Sequence, residues 1–294
     1  MKNLLSRQAF TIQAILLLFM AGTSQMSCQK KYLGPDISYG TLFNRLQKMV
    51  VSNSEGVTTH SFAYDANGLI TSHNILFKGK NPSRTQNSMA QYYRNGTGTV
   101  DSIKVVATLE GAVTAVKKIY FTYSSGTQLS SSVVLHNTND ASAMRDSSTY
   151  AYNGSFLIER KDYVTSGTTP YSATAYRDLV FQYSGTNISN LIFENTIPGG
   201  SEKKTTLISY SYDTAKAALP VNGFQYGYDS VCFAWQEYKA VNNLSSAKYG
   251  EGAGIGNISY EYNYLDNGKP FKGTSRETNA AGDAIESKIE FFYD

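Results

Sequence analysis

The chain has 294 residues, with 26 Lys and Arg, 23 Asp and Glu, two Cys and 23 Tyr. The formal net charge is +3, and it falls to +1 without the basic residues of the N-terminal signal described below, a balance that predicts no long-range attraction to nucleic acid or to anionic lipid. A chain of this length can bury a sizeable core, so its stability is expected to come from burial and not from cross-links.

The first element is an export signal over residues 1–27. Lys2 and Arg7 supply a positively charged start, and an apolar run follows from Ala14 to Ala21. This run is too short to cross a bilayer, which takes about 20 residues. Removing the two basic residues of the signal leaves 24 basic and 23 acidic residues, a net charge of +1.

The end of the signal, Gln25–Cys28, resembles the lipobox of bacterial lipoproteins. Ser27 matches the small residue before the cysteine, while Gln25 stands where the strict pattern has Leu. The resemblance implies that Cys28 becomes the first mature residue and carries a lipid that anchors the chain to a membrane. The alternative is ordinary cleavage and a soluble periplasmic or secreted product.

The segment after the cysteine is predicted to be a tether over residues 28–41. Gln29 in place of Asp indicates sorting onward to the outer membrane. A lipidated Cys28 leaves Cys232 without an intrachain disulfide partner.

From residue 62 onward a tyrosine recurs directly before a turn rich in Gly, Asn, Asp or Ser. The marker tyrosines are Tyr64, Tyr93, Tyr123, Tyr152, Tyr183, Tyr212, Tyr264 and Tyr293. Their successive spacings are 29, 30, 29, 31, 29, 52 and 29 residues. The chain therefore contains about eight copies of one hairpin unit with a period near 30.

Each unit alternates apolar and polar residues, as in Ile119, Phe121 and Tyr123 on one face of a strand. Asn-Gly and Ser-Gly then supply the tight turn. Returning strands are predicted at Leu69–Phe77, Val100–Thr108, Leu129–His136, Leu157–Val164 and Ile188–Asn195. With Arg45–Val51 as a leading strand, these units predict an all-β domain over residues 42–294, an antiparallel up-and-down meander of about 14–16 strands.

Segments such as Tyr64–Leu69 resemble the YD repeat of large secreted shell proteins. The layout over residues 42–294 also resembles Bacteroidota cell-envelope lipoproteins of unknown function with a porin-like fold. This resemblance implies an up-and-down β architecture and no known activity.

Closure of the sheet into a barrel would remove exposed strand edges. A membrane-spanning barrel needs apolar outward faces, whereas Leu157–Val164 places Glu159 and Lys161 on one face and Arg160 and Asp162 on the other. We therefore expect a water-soluble, closed or flattened barrel with its Ile, Phe and Tyr face inward.

The spacing of 52 between Tyr212 and Tyr264 predicts an insertion at about 214–257. Apolar residues in 229–241 recur at helical spacing, which predicts one short helix, with Cys232 as a small buried residue. This insertion is expected to be a plug or lid at one end of the barrel. Alternatively, its aromatic residues form a site for a sugar or another ring-shaped ligand. The candidate ligand-binding residues are Tyr226, Tyr228, Trp235 and Tyr238.

Other chemistry is weakly indicated. His60, His73 and His136 have no metal-ligand spacing and are expected on solvated strand faces. No nucleophile elbow is present, and the sequence predicts no catalytic residue, metal or cofactor. Two functions stay open: a non-catalytic binding or structural lipoprotein that recognises a glycan or an envelope protein, or a secreted hydrolase of a polysaccharide or envelope polymer. Two carboxylates about 5–10 Å apart in a cleft would favour the hydrolase.

Overall fold

The computed structural model describes residues 45–80, 84–96, 98–125, 128–136, 145–165, 177–196, 203–216, 242–250, 255–279 and 282–294. The signal, Cys28, the tether and residues 217–241 of the predicted insertion lie outside these ranges. The predicted helix, whose first turn would begin at Asp229 or Ser230, therefore stays a prediction.

Sixteen β-strands make up the described part of the chain. They are β1 (Leu46–Ser52), β2 (Gly56–Tyr64), β3 (Ile70–Gly79), β4 (Thr85–Arg94), β5 (Val100–Leu109), β6 (Ala112–Ser125), β7 (Gln128–His136), β8 (Arg145–Asn153), β9 (Phe156–Thr165), β10 (Arg177–Ser184), β11 (Asn187–Thr196), β12 (Lys203–Lys216), β13 (Asn242–Tyr249), β14 (Ile255–Tyr264), β15 (Pro270–Asn279) and β16 (Ala284–Tyr293). β12 and β13 both extend into the range predicted for the insertion. The described residues include no helix long and apolar enough to cross a membrane.

The strands form one closed barrel in which each strand pairs antiparallel with its neighbours in sequence. β1 closes the ring against β16, with Met49 opposite Phe291. Beside this seam the Arg45 guanidinium lies 3.1 Å from the Asp294 carboxylate. Closure leaves no free strand edge to pair with another chain. The prediction of an all-β up-and-down barrel is confirmed.

Two ends of the barrel differ in how the strands are connected. At one end, which we call the tyrosine end, the even-numbered strands end at or near the marker tyrosines, and β2, β4 and β14 lead into short turns. In the first of these turns, Asp65 donates its N–H to the Leu69 carbonyl at 2.9 Å, and Gly68 adopts a φ of 80° that favours glycine. The same bonds recur around Asn95 and Leu265. The opposite end, which carries the remaining connections, is called the loop end.

Alternation along each strand places the apolar face inside the barrel. Phe62, Ile119, Leu191, Tyr262 and Phe291 are all buried on this face. Inward positions become more exposed toward the loop end: Ile289 is 1% exposed, whereas Ile285 in the same strand is 37% exposed. Packed side chains thus fill the tyrosine end, while solvent reaches the inward face at the loop end.

The outward faces of β15 and β16 are polar. On β15 and β16, Lys272, Arg276, Glu286, Lys288 and Glu290 are exposed. They face one another across the strands, with Lys272 opposite Glu290 and Arg276 opposite Glu286. Placing a Lys or Arg against the bilayer midplane costs about 2–4 kcal/mol. On these two strands the charges lie where a membrane-spanning barrel would have an apolar band, while Met89, Tyr120 and Leu207 are exposed on other strands.

The second unit differs from the pattern predicted for each unit, in which the marker tyrosine shares the apolar face of its strand. Tyr93 is 45% exposed, while Tyr92 is buried and Arg94 takes the inward position before the turn. Asn95 then forms the turn bonds that Asp65 forms in the first unit. Because Tyr92 and Tyr93 are adjacent and both aromatic, alternation alone does not show which of the two points inward.

The phase of β9 also differs from simple alternation, which would place Leu157 on the same face as Glu159. A bulge at the pairing of Ala151 and Tyr152 with β9 shifts the register by one residue. Leu157 therefore shares the inward face with Arg160 and Asp162, and all three are buried. One extra residue in a strand moves every later side chain to the opposite face.

Candidate functional site

At the tyrosine end, several marker tyrosines form hydrogen bonds to the neighbouring strand. Each donates its hydroxyl to a backbone carbonyl at the start of the preceding strand: Tyr64 to Leu46 at 2.7 Å, Tyr123 to Val100 at 2.6 Å, Tyr183 to Leu157 at 2.9 Å and Tyr293 to Pro270 at 2.8 Å. Burial, with a contribution from Tyr152, raises the pKa of Tyr183 to about 12, so its hydroxyl keeps the proton it donates. These tyrosines hold adjacent strands together and therefore have a structural role.

In the second unit, Arg94 makes the hydrogen bond that a marker tyrosine makes in the other units. Its guanidinium donates to the Ile70 carbonyl at 3.1 Å, and Ile70 is the first residue of β3. An arginine and a tyrosine therefore fill the same structural position, because each can carry a donor across the neighbouring strand.

Within the predicted insertion at about 214–257, residues 217–241 lie outside the described ranges, and the flanking residues Lys216 and Asn242 lie at the tyrosine end of the barrel. At its base the Tyr264 hydroxyl donates to the Asp213 carboxylate and accepts from the Asn243 amide at 3.1 Å. Burial and the adjacent Asp213 raise the pKa of Tyr264. Both ends of the insertion are thus anchored to the barrel wall by polar contacts.

The candidate aromatic residues Tyr226, Tyr228, Trp235 and Tyr238 lie outside the described residues. Cys28, the candidate lipid-attachment residue, lies outside them as well. The structure brings none of these residues into a described site, and both assignments stay predictions.

The prediction that the histidines lie on solvated faces is wrong for His60 and His73. They are 2% and 0% exposed on the inward faces of β2 and β3. His60 Nδ1 lies 3.2 Å from His73 Nε2, and the Phe62 ring stacks on His73 at 4.4 Å. Burial lowers the pKa of His60 to about 3 and that of His73 well below its usual value. The sequence did indicate that His60 is buried, because His60 and Phe62 are two residues apart in one strand and therefore lie on the same face.

A charged cluster lies inside the barrel on β8 to β10. Arg160 binds the Asp162 carboxylate through Nε at 2.6 Å and through a second nitrogen at 3.1 Å. Arg177 donates from Nε to the same carboxylate at 2.7 Å, and the Ser148 hydroxyl donates to it at 2.8 Å. Burial alone would raise the pKa of Asp162, but Arg160 and Arg177 outweigh it and hold that pKa below its usual value. This carboxylate is ionised and fully engaged by cations.

The charged cluster continues toward the loop end on the same face. Asn195 pairs with Arg177 across β10 and β11, and Lys204 pairs with Asn195 across β11 and β12. Elsewhere at this end, His136 Nε2 lies 2.6 Å from the Asp146 carboxylate. Sequence analysis missed this polar wall because its members are distant in sequence and the bulge in β9 reverses the expected face.

The described inward carboxylates differ in their partners. Asp162 and Asp146 each have a basic partner, as described above. Glu277 lies on the inward face of β15, where burial and Glu55 raise its pKa. Within the described residues, no group of three or more His, Cys, Asp or Glu is arranged to hold a metal ion.

Comparison with known proteins gives a fold but no family. No protein-family model matches the sequence, and no curated protein matches it. A crystal structure of a porin-like protein from Bacteroides uniformis ATCC 8492 covers 85% of this chain and 98% of its own, with 10% identity and a TM-score of 0.50. A porin-like protein from Bacteroides vulgatus ATCC 8482 covers 85% of this chain and 99% of its own, with 13% identity and a TM-score of 0.39.

The Bacteroides uniformis structure shows that the chain shares the barrel fold of a porin-like protein. The predicted resemblance to a porin-like fold is therefore confirmed at the level of architecture. The YD-type repeat and the lipoprotein assignment stay predictions.

Proposed function

We propose that the chain is an exported lipoprotein, anchored to the outer membrane through Cys28, that binds a ligand or partner without catalysing a reaction. The observation that carries this proposal is the polarity of the barrel. Its outer wall is charged both on β15 and β16 and on β9, where Glu159 and Lys161 form an ion pair at 2.9 Å. The charges on these three strands support a barrel wall in contact with water, and a lipid on the N-terminal segment would hold such a barrel at the membrane.

The fold also suggests an orientation for the anchored protein. β1 begins at Leu46, at the tyrosine end, so a tether from Cys28 would enter the barrel there. The insertion joins the barrel at the same end. The loop end, with its solvent-accessible inward face, would then point away from the membrane.

The anchor is tested by fatty-acid labelling of cells that express the full chain or its Cys28→Ala variant. We expect label on the full chain and none on the variant, because acylation requires the thiol. Ser27→Ala keeps a small residue before the cysteine and serves as the matched control. Label that persists in Cys28→Ala would overturn the lipid anchor.

The binding role is tested with a glycan array and an envelope-protein pull-down, using the chain from residue 29 onward. The candidate site in the insertion predicts that Trp235→Ala weakens binding through loss of ring stacking. Tyr93→Ala removes an exposed aromatic ring from the outer barrel wall and serves as the control. Equal binding by Trp235→Ala and the unmodified chain would remove the insertion from the binding site.

The hydrolase alternative has one candidate pair among the described inward carboxylates, because burial and the neighbouring Glu55 raise the pKa of Glu277. A glycosidase needs one carboxylic acid that donates a proton and a second carboxylate nearby. Asp162 is held ionised by two arginines, and Asp146 is paired with His136. Release of reducing sugar from envelope polysaccharide by the purified chain would reverse the preference for a role without catalysis.

A further inference from the structure

The inward face of β15 presents a carboxyl group, that of Glu277, close to the loop end. Glu277 lies opposite Ile258 on β14 and opposite Ile285 on β16. Glu277 is partly exposed, and Ile285 beside it is 37% exposed. A molecule that enters the barrel from the loop end can therefore reach this carboxyl group, in contrast to the fully buried Asp162.

Two tyrosines lie near Glu277 on the same inward face. Tyr260 is opposite Ser275, one inward position deeper in the barrel, and it is buried. Tyr249 is on β13 and is partly exposed. Burial is the largest cause that raises the pKa of each tyrosine, and Glu277 contributes to both shifts. The Glu277 carboxylate is therefore close to both tyrosine side chains, with Tyr260 below it and Tyr249 to one side.

The strand between Tyr249 and Glu277 carries no side chain at this level. Ala247 pairs with Ile258 across β13 and β14, and continuing that register places Tyr249 opposite Gly256. A Cβ on Gly256 would lie 2.9 Å from the Thr278 carbonyl oxygen, so the backbones of β14 and β15 leave no room for a larger residue. Nothing on β14 then separates the Tyr249 ring from the Glu277 carboxylate.

A second carboxylate acts on Glu277 from the rim of the barrel. Glu55 is exposed in the turn between β1 and β2, where its backbone N–H donates to the Asn53 side-chain oxygen at 2.9 Å. Burial and Glu55 raise the pKa of Glu277. In the described part of the chain, neither Glu55 nor Glu277 forms an ion pair with a Lys or Arg. Two neighbouring carboxylates repel each other, so a cation bound between them stabilises the ionised form of both.

The surroundings of the two carboxylates suit an ammonium group better than a metal ion. Calcium takes about six to eight oxygen ligands, whereas no group of three or more His, Cys, Asp or Glu in the described ranges could hold a metal ion. An ammonium group donates hydrogen bonds to carboxylates and is attracted to the face of a tyrosine ring. The exposed Ile285 side chain adds an apolar surface for the carbon chain of an amine.

From these observations we propose that Glu277 and Glu55, together with Tyr249 and Tyr260, bind the ammonium group of an organic amine. The ammonium group lies between the two carboxylates and against the Tyr249 ring, and the carbon chain of the amine packs on Ile285. The carboxylate pair thus acts in binding and not in hydrolysis. This site requires neither the lipid anchor nor the candidate aromatic residues of the insertion, so it can fail or succeed independently of the proposed function.

The test is isothermal titration calorimetry on the chain from residue 29 onward, which retains all sixteen strands. The ligands are spermidine, its fully N-acetylated derivative and calcium chloride. The acetylated derivative keeps the carbon chain of spermidine but carries no positive charge. We expect spermidine to bind with an affinity that weakens with added salt, and the acetylated derivative not to bind. Absence of spermidine binding, or equal binding of the acetylated derivative, would overturn the proposal.

Substitutions assign the binding to this part of the wall. Glu277→Gln should weaken spermidine binding by about tenfold or more, because it removes a charge-assisted contact. Glu290→Gln makes the same change on the outer wall and should leave the affinity unchanged. Glu55→Gln provides a second test at an exposed turn, in case Glu277→Gln disturbs folding. Spermidine binding that neither Glu277→Gln nor Glu55→Gln weakens would overturn the assignment, as would calcium binding that Glu277→Gln abolishes.

Discussion

Acidification should destabilise the barrel through the buried His60–His73 pair. In the folded protein the pKa of His60 is lowered from 6.5 to about 3, so its ring stays neutral where the unfolded chain takes up a proton. The unfolded state binds more protons between these two values. Stability is therefore full above pH 6.5 and falls as the pH drops from 6.5 toward 3.

The size of the effect follows from the gap between the two pKa values. A pH of about 5 lies roughly 1.5 units below the pKa of a histidine in the unfolded chain. This difference corresponds to a loss of about 2 kcal/mol in the free energy of unfolding. The pKa of His73 is lowered as well, so this residue adds a loss of the same sign. Staying above about pH 5 keeps most Asp and Glu carboxyls ionised in the unfolded chain.

The assay is urea denaturation, followed by circular dichroism, at several values between about pH 7 and about pH 5. His60→Gln replaces a titrating ring with a neutral amide. The change in the free energy of unfolding between about pH 7 and about pH 5 should therefore be smaller by about the contribution of one histidine. His136→Gln leaves the buried pair intact and serves as the control, which should retain a larger slope than His60→Gln. A free energy of unfolding that does not change over this range, or equal slopes in His60→Gln and the unmodified chain, would refute the reasoning.

Three further predictions concern the stability of the barrel, each measured by urea denaturation near neutral pH. Tyr64→Phe removes a hydroxyl that donates to a backbone carbonyl and should lower the free energy of unfolding by about 1 kcal/mol. Tyr93→Phe on the outer wall should lower it by less than about 0.5 kcal/mol. Equal losses would show that the Tyr64 hydrogen bond does not stabilise the barrel. Gly273→Ala would place a Cβ 2.7 Å from the Tyr262 ring and 2.8 Å from the Glu261 carbonyl oxygen and should cost about 1–3 kcal/mol, while Gly96→Ala meets no atom within 4 Å and should be nearly neutral; a neutral Gly273→Ala would show that both the ring and the backbone of β14 can shift. Asp162→Asn leaves two arginines without their shared carboxylate and should cost about 3–5 kcal/mol; a loss below about 1 kcal/mol would show that the charges are relieved in another way.

The sequence alone determined the strands and their approximate bounds. The returning strand predicted at Val100–Thr108 is observed as Val100–Leu109, and that predicted at Ile188–Asn195 as Asn187–Thr196. Alternation with a period of two and turn residues such as Gly68 are local signals. Local signals can be read without knowledge of the fold, because each depends on a few adjacent residues.

Only the tertiary structure decided which face some strands present. At Tyr92 and Tyr93, two neighbouring aromatic residues fit either phase, and the observed register selects Tyr92 and Arg94 for the interior. In β9 the bulge turns Arg160 and Asp162 inward. A bulge depends on how two strands pair, so one strand's own sequence does not reveal it.

Closure and the polar wall were also decided by tertiary structure. Arg45 and Asp294 are 249 residues apart in sequence and hydrogen-bond across the closing seam. Arg177, Asn195 and Lys204 belong to three strands and become neighbours through the register of the sheet. The repeat specifies hairpins, but the number of strands in the ring and the pairing of distant residues depend on the packing of all sixteen strands around one interior.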